Sequence, residues 1–220
     1  MRRFAISDIH GCNATFKALL EKIDFRKEDI LFLLGDYVDR GPDSRGVIDY
    51  IWQLQEEGYQ VHCLVGNHEI MLLQAIEAKY DHFHGLVETV QSFDVTRAAD
   101  IPKKYTHWIK NLPIYIEIEG YLLVHAGFNF READPLSDKE SMVWIRDWYQ
   151  DIDKEWLAGR IIVHGHTPTP KDDIKLNLKN LDHTPVLDID AGCVFEHKKY
   201  GYLCALNLDD QSLTFLKKID

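Results

Sequence analysis

Clusters of Asp, His, Asn and Gly recur at five places in this chain, each directly after a short apolar run. The clusters begin at Asp8, Gly35, Gly66, His125 and His164. Carboxylate, amide and imidazole groups together are ligands for hard to borderline divalent metals, and there are enough of them here for two ions. The pattern therefore predicts a dinuclear centre that performs hydrolysis.

Three of the candidate ligands can be assigned from their spacing. Asp8 and His10 are separated by one residue, so their side chains point the same way and can face one ion. Asp36 follows the next apolar run, and its two carboxylate oxygens could bridge two cations. The remaining candidates, which would complete the second ion, are Asn67, His125 and His166.

The apolar runs that precede the clusters have the length and composition of buried strands. Over the first third of the chain they alternate with helical patterns, as expected for a mostly parallel sheet covered by helices. Asn13 and Ser44 are the predicted N-caps of the first two helices. The polar clusters should therefore meet along one rim of a sheet, where sheets of this kind bind ligands.

The rest of the chain combines a helical segment with further strands. Residues 70–111 form a predicted helical insert, and the sequence leaves open whether residues 80–99 cover the site or only connect helices. Strands 114–118 and 121–124 flank Glu119-Gly120 as in a hairpin, and antiparallel pairing is expected in the last third. The sequence predicts one α/β domain over residues 1–220, a sandwich of two mixed β-sheets flanked by helices.

The composition argues against several classes of protein. With 25 Lys and Arg residues against 36 Asp and Glu residues, the formal charge is -11, which disfavours binding to a nucleic-acid polymer. The four cysteines lack metal-type spacing and predict a cytoplasmic protein with reduced thiols. No apolar stretch approaches the roughly 18 residues of a membrane span, so no membrane association is expected. The sequence indicates no particular oligomeric state.

Several motifs resemble the signature blocks of the PPP-type metallophosphoesterases. In chain order they are Asp8-Ile9-His10-Gly11, Gly35-Asp36-Tyr37-Val38-Asp39-Arg40-Gly41, Gly66-Asn67-His68-Glu69, His125-Ala126-Gly127 and Gly165-His166-Thr167. Within that superfamily the chain is most similar to the compact bacterial and bacteriophage serine/threonine protein phosphatases, over nearly its whole length. The resemblance implies a calcineurin-like sandwich that binds two divalent metal ions. Manganese is the expected metal because the ligands mix oxygen and nitrogen without thiolate, and iron and zinc are alternatives.

The resemblance also implies a role for each candidate residue. The first metal would be held by Asp8, His10 and Asp36, and the second by Asp36, Asn67, His125 and His166. His68 would be the general acid, paired with Asp39, because a neighbouring carboxylate stabilises the protonated imidazole. Arg40 and Arg146 would bind the substrate phosphate through their planar guanidinium groups.

The implied substrates are phosphoserine and phosphothreonine in phosphoproteins or phosphopeptides, with phosphotyrosine as a further possibility. Symmetrical bis(5'-nucleosyl)-tetraphosphate hydrolases share the same blocks and are the alternative. The chain is short for that subgroup, although Tyr80, Phe83 and Phe93 could supply a platform for a nucleobase. A catalytically silent module that docks phosphoproteins is least expected, because such a site would usually have lost the acid or a phosphate-binding arginine.

Overall fold

The computed structural model describes residues 1–78 and 86–220. Within these residues the strands are β1 (Arg3–Ile6), β2 (Ile30–Leu33), β3 (Gln60–Cys63), β4 (Tyr115–Ile118), β5 (Tyr121–Val124), β6 (Ile161–His164), β7 (Val186–Asp188), β8 (Tyr202–Asn207) and β9 (Leu213–Lys217). The α-helices are α1 (Asn13–Lys22), α2 (Ser44–Glu56), α3 (Asn67–Ala78), α4 (Leu86–Ser92), α5 (Lys103–Lys110), α6 (Ser141–Trp144), α7 (Lys154–Leu157) and α8 (Lys171–Leu178).

The strands form two mixed sheets, which confirms the predicted α/β sandwich. The first sheet has the order β3-β2-β1-β8-β9, and the second has the order β4-β5-β6-β7. In the first sheet β1, β2 and β3 run parallel, whereas β8 is antiparallel to both β1 and β9. The expected antiparallel pairing in the last third is therefore right for β8 and β9. It is wrong for β6 and β7, which run parallel to β5 because helical connections return the chain to the same edge.

Apolar side chains cover both faces of the first sheet. In β1, Phe4 and Ile6 pack with the apolar residues of α1 and α2, while Ala5 points into the layer between the sheets. That layer joins residues of both sheets, such as Phe32 of β2 and Leu123 of β5. Strands that are packed on both faces can hold the loops at their ends in fixed positions.

Both predicted helix caps are wrong. α1 begins at Asn13, but the side chain of Asn13 donates to Asp43 Oδ2 at 2.7 Å instead of capping its own helix. α2 begins at Ser44, and its cap is Asp43, which accepts a hydrogen bond from the Gly46 amide. Ser44 Oγ accepts a hydrogen bond from the Asp39 amide at 3.1 Å. Both polar side chains therefore hold the loop after β2 rather than their own helix ends.

The remaining elements largely follow the predicted order. β4 and β5 pair antiparallel across Glu119-Gly120, which confirms the hairpin. Helices α3, α4 and α5 occupy the described part of the segment from 70 to 111. In the part of the chain that the structure describes, no helix is both long enough and apolar enough to cross a membrane.

The five polar clusters lie at the ends of strands from both sheets. Three of them follow β1, β2 and β3 in the first sheet, and two lie at the ends of β5 and β6 in the second sheet. The prediction that one sheet carries all five is therefore wrong. Both sheets contain parallel strands whose carboxyl ends reach the same end of the sandwich, and there the clusters meet.

Candidate metal centre

The six predicted metal ligands are all buried at this end of the sandwich. Each is at most 6% exposed, and they are Asp8, His10, Asp36, Asn67, His125 and His166. Unpaired polar groups are costly to bury, so a set of this size needs partners or a bound cation. Two groups of three residues bring ligand atoms within 4.8 Å of one another, and Asp36 belongs to both.

Asp36 lies between imidazoles from the two sheets. Its Oδ2 atom is 3.5 Å from His10 Nε2, and its Oδ1 atom is 3.5 Å from His125 Nε2. The opposite nitrogen of each ring, Nδ1, contacts a backbone carbonyl, that of Val38 for His10 and that of Leu34 for His125. These contacts place the ring hydrogen on Nδ1, so neither Nε2 carries a hydrogen that it could donate to Asp36.

In the second group, the Asn67 side chain lies between the imidazoles of His125 and His166. Its Oδ1 atom is 2.9 Å from both His125 Nε2 and His166 Nδ1. Burial lowers the pKa of His125 and lowers that of His166 to about 2, so both rings are neutral at physiological pH. Since His125 already carries its hydrogen on Nδ1, a nitrogen lone pair faces an amide oxygen with no proton between them. A divalent cation would satisfy both atoms, so the residues fit the implied metal.

The first group contains His68 where Asp8 was expected. His68 Nε2 is 4.0 Å from Asp36 Oδ2, and His10, Asp36 and His68 form the group. The Asp8 carboxylate instead accepts hydrogen bonds from the His166 amide at 3.0 Å and from the Ser7 hydroxyl. Asp8 therefore connects the loop after β1 to the loop after β6, next to the two groups.

His68 and Asp39 form the expected pair. His68 Nδ1 lies 2.8 Å from Asp39 Oδ2, and both residues are buried. The other carboxylate oxygen of Asp39 accepts a 2.6 Å hydrogen bond from Thr89 Oγ1 in α4. With both of its oxygens engaged, Asp39 fixes the imidazole so that Nε2 faces the centre. Thr89 was not identified from the sequence because nothing near it marks a polar role.

The two predicted phosphate-binding arginines flank the centre and are exposed. Arg40 Nη1 lies 2.9 Å from His10 Nε2 in the first group. Arg146 Nη1 donates to Thr167 Oγ1 at 3.1 Å, next to His166 of the second group. A phosphate above the buried ligands would thus meet a guanidinium from each side.

The backbone of the centre is unusual in a way that the sequence did not reveal. Six of its residues have positive φ angles between 45° and 73°, and these are Asp8, His10, Asp36, Asp39, Arg40 and His166. Residues other than glycine rarely adopt this conformation, which costs about 1–3 kcal/mol each and is maintained only by the surrounding structure. The surrounding structure therefore holds the backbone of the site in this conformation.

Glu69 maintains two of these loops. Its carboxylate is fully buried and accepts hydrogen bonds from the amides of Asp36, Tyr37, Val38 and Gly66. Burial raises the pKa of Glu69, and the four backbone hydrogen bonds oppose that effect. The motif contains Glu69, but its function in joining the loops after β2 and β3 becomes evident only in three dimensions.

The proposed nucleobase platform is wrong for one of its three residues. Phe93 is 4% exposed and packs edge-on against Tyr105, with ring centroids 4.6 Å apart, so it belongs to the core. Tyr80 and Phe83 lie outside the described residues, as does part of the segment from 80 to 99 whose covering role was left open.

Comparison with known proteins gives consistent results for most of the chain. The calcineurin-like phosphoesterase family model matches residues 1–199. A symmetrical bis(5'-nucleosyl)-tetraphosphatase from Chromobacterium violaceum is 40% identical over 128 residues, which cover 58% of this chain and 43% of that protein. The asymmetrical bis(5'-nucleosyl)-tetraphosphatase PrpE from Oceanobacillus iheyensis is 27% identical over 230 residues, which cover 90% and 86%. The chain spans about half the length of the symmetrical relatives that it matches.

Solved structures share the fold at low sequence identity. A crystal structure provisionally assigned as a diadenosine tetraphosphatase superposes with a TM-score of 0.71 at 22% identity, covering 100% of this chain and 94% of the other. A yeast protein serine/threonine phosphatase superposes with a TM-score of 0.70 at 15% identity, covering 100% and 80%. At these identities the likeness concerns the fold alone.

Proposed function

The chain belongs to the calcineurin-like phosphoesterase family, and on that basis we propose that it hydrolyses bis(5'-nucleosyl) tetraphosphates at the buried centre. The observation that carries the chemistry is the pair of ligand groups that share Asp36. The substrate is proposed from the relatives, since a symmetrical and an asymmetrical bis(5'-nucleosyl)-tetraphosphatase match the chain over 58% and 90% of its length, respectively. This choice replaces phosphoproteins, which the motifs alone favoured, as the first candidate.

The residues present would hold two divalent cations. Asp36 would contribute one carboxylate oxygen to each, as in the two groups that it joins. Such cations supply Lewis-acid charge to the phosphate and to the attacking water. Manganese is the proposed metal because the ligand set is oxygen and nitrogen without sulfur, and iron and zinc remain alternatives. The predicted ligand role of Asp8 stays a proposal, and its carboxylate lies beside these groups.

His68 would protonate the leaving oxygen. Asp39 holds Nδ1 of the ring at 2.8 Å, which leaves Nε2 as the atom that faces the reaction centre. A general acid of this kind contributes about 10²- to 10⁴-fold to the rate, and most when the leaving group is a strong base. In a tetraphosphate the leaving group is a nucleotide phosphate, a weaker base than the alkoxide of serine.

Arg40 and Arg146 would orient the scissile phosphate. Each has an exposed guanidinium beside one of the ligand groups, and planar guanidinium groups bind phosphate oxygens in bidentate fashion. Their positive charge also reduces the repulsion that a polyphosphate would experience from a protein with a formal charge of -11.

Hydrolysis of phosphoserine or phosphothreonine in proteins is the second candidate. It is favoured by the exposure of Arg40 and Arg146, because an open phosphate site is accessible to a residue on another protein. Phosphotyrosine would be accessible in the same way. The complete motif set, with the acid and both arginines present, argues against a silent docking module.

Purified protein loaded with manganese can be compared on diadenosine tetraphosphate, a phosphoserine peptide and a phosphotyrosine peptide. The highest kcat/KM is expected for the dinucleotide. Anion-exchange analysis of the products identifies the bond that is cleaved, because two ADP molecules indicate symmetrical cleavage and ATP with AMP indicates asymmetrical cleavage. Protein treated with a chelator is the control. Turnover of the peptides without the dinucleotide would overturn the proposal in favour of the second candidate.

A further inference from the structure

A cavity lies between the loop from Gly192 to Gly201 and the end of β9, and its residue Phe195 lies near Arg40, which flanks the metal centre. Its volume is about 340 Å³, and its lining includes Phe195, Tyr200, Lys198, Lys217 and Lys218. We infer that this cavity binds the nucleoside end of a dinucleotide substrate, with Phe195 stacking on the base and the lysines attracting the adjoining phosphates. The identity of the whole substrate rests on the proposed function.

The 192–201 loop, which runs from Gly192 to Gly201, is closed at its base. The Gly201 amide donates to the Gly192 carbonyl at 2.9 Å, and the Lys218 amide donates to the Gly201 carbonyl at 2.9 Å. Gly201 has a φ of +80°, and a Cβ atom there would lie 2.7 Å from the Phe195 carbonyl oxygen. The cavity is therefore bounded by a loop whose two ends are fixed to each other and to the end of β9.

Phe195 connects the cavity to the proposed phosphate site. It is 39% exposed, so a ligand in the cavity can reach its ring. The Arg40 guanidinium lies 5.9 Å from the centre of the Phe195 ring, and Arg40 Nη1 also contacts His10 in the metal centre. A nucleotide whose phosphate binds Arg40 would thus have an aromatic ring within reach of its base.

The charge of the cavity differs from that of the whole protein. Three lysines line it, in a chain with a formal charge of -11. Two carboxylates also line it, those of Glu196 and Asp220. The Asp220 carboxylate accepts hydrogen bonds from the amides of Ala14 and Thr15 at the start of α1, and the positive end of that helix offsets part of its negative charge. The local excess of positive charge suits the phosphates of a nucleotide.

The combination of an exposed ring and lysines identifies the class of ligand. Stacking of a base on an aromatic side chain contributes roughly 1–3 kcal/mol and tolerates any base, because every base has a π-face. Lysines bind phosphate as mobile point charges and do not require one geometry. The cavity should therefore accept a nucleoside phosphate with little preference for its base.

Binding of ADP to metal-free protein tests the cavity separately from catalysis. Isothermal titration calorimetry in the presence of a chelator should detect ADP binding, with a Kd raised roughly tenfold in Phe195→Leu and in Lys217→Gln. Phe195→Trp should restore the affinity, because it restores an aromatic face. Ribose 5-phosphate, which lacks a base, should bind more weakly and should be unaffected by Phe195→Leu. Leu176→Ala and Lys110→Gln, at exposed positions on α8 and α5, are the matched controls.

Steady-state kinetics with diadenosine tetraphosphate complete the test. Phe195→Leu should raise KM and leave kcat unchanged, because stacking is present in both the ground state and the transition state. If the dinucleotide is hydrolysed and neither variant changes KM or ADP affinity, the inference is wrong and the proposed function stands. If ADP binds through Phe195 but the dinucleotide is not hydrolysed, the inference is supported and the proposed function fails.

Discussion

The buried metal centre and the 192–201 loop are built on opposite principles. In the centre, six proposed ligands are at most 6% exposed, and four of them, Asp8, His10, Asp36 and His166, have positive φ angles. In the loop, Phe195 is exposed, and the base is closed by backbone hydrogen bonds from the Gly201 and Lys218 amides. The comparison indicates that burial fixes the proposed metal ligands, whereas exposure leaves Phe195 accessible to the proposed nucleoside.

Large effects are expected from the buried centre and modest effects from the exposed loop. Changes to the centre should alter metal binding and the chemical step together. Changes to the loop should alter KM for the nucleotide and leave the metals in place.

The largest effect is expected for Asp36→Asn, which removes the charge shared by both ligand groups. Affinity for both metals should fall by at least about 100-fold, because even indirect partners of metal ligands contribute 10- to 100-fold. Equilibrium dialysis with metal analysis measures the occupancy. Asp172→Asn is the matched control, since that carboxylate is 86% exposed on α8. Retention of two ions at unchanged affinity would show that Asp36 does not bridge them.

The second effect separates acid catalysis from metal binding. His68→Asn should retain both metals and lower turnover by about 10²- to 10⁴-fold for a phosphoserine peptide, and by less for a dinucleoside tetraphosphate, whose leaving group needs less protonation. Metal analysis and kcat on both substrates provide the measurement. Thr89→Val, which removes only the hydroxyl beside Asp39, should give a smaller loss. Loss of metal in His68→Asn would assign the imidazole to the ligands.

The third effect compares glycines in the two regions. A Cβ atom on Gly66 would lie 2.2 Å from Asp36 Oδ1, so Gly66→Ala should cost about 3 kcal/mol of unfolding free energy and displace the metals. Gly201→Ala should raise KM for the dinucleotide while both metals remain bound.

The control for both glycine variants is Gly159→Ala, at a residue with a φ of +84° and no atom within 4 Å of the added Cβ. Its unfolding free energy should fall by only about 1 kcal/mol. Urea unfolding measures the stabilities, and equal losses for all three would remove the distinction between the regions.

The smallest effect is expected for Asp29→Asn. Asp29 bonds to Arg2 directly before β1, away from both the metal centre and the 192–201 loop. Burial raises the pKa of Asp29, but hydrogen bonds from Arg2 and Arg26 lower it by more. The pKa of Asp29 is therefore below its usual value. The carboxylate therefore stabilises the fold above its unfolded pKa of about 4, and this contribution is lost as the pH falls through the folded pKa. Asp29→Asn should lower the unfolding free energy by about 1 kcal/mol at pH 7, with metals retained. The difference from wild type should narrow below about pH 4, and a constant difference would contradict the assignment.

The alternation of strands and helices in the first third and the residues that meet at the centre were predictable from the sequence. Each motif combines an apolar run with the polar residues that follow it, so it encodes both a strand and the side chains at its end. The caps were not predictable, because Asn13 is engaged by Asp43, which is distant in sequence. The prediction that Phe93 belongs to a nucleobase platform was wrong for a similar reason, because its burial depends on packing against Tyr105.

The sequence also did not predict that the five polar clusters lie at the ends of strands from two sheets. Nothing in the residues of β5 and β6 distinguishes a strand of one sheet from a strand of the other. The positive φ angles were hidden as well, because Asp and His adopt that conformation only when neighbours hold them there. Features encoded by neighbouring residues in the sequence could thus be predicted, whereas features that depend on contacts with distant residues could not.

Glu69 determines how this catalytic apparatus could be transferred to another protein. A designer who copied only the proposed ligands onto a new scaffold would leave two stretches of backbone free to relax independently. Because one carboxylate receives amides from both stretches, they behave as a single rigid insert. The smallest portable unit therefore includes Glu69, although it is not among the proposed ligands.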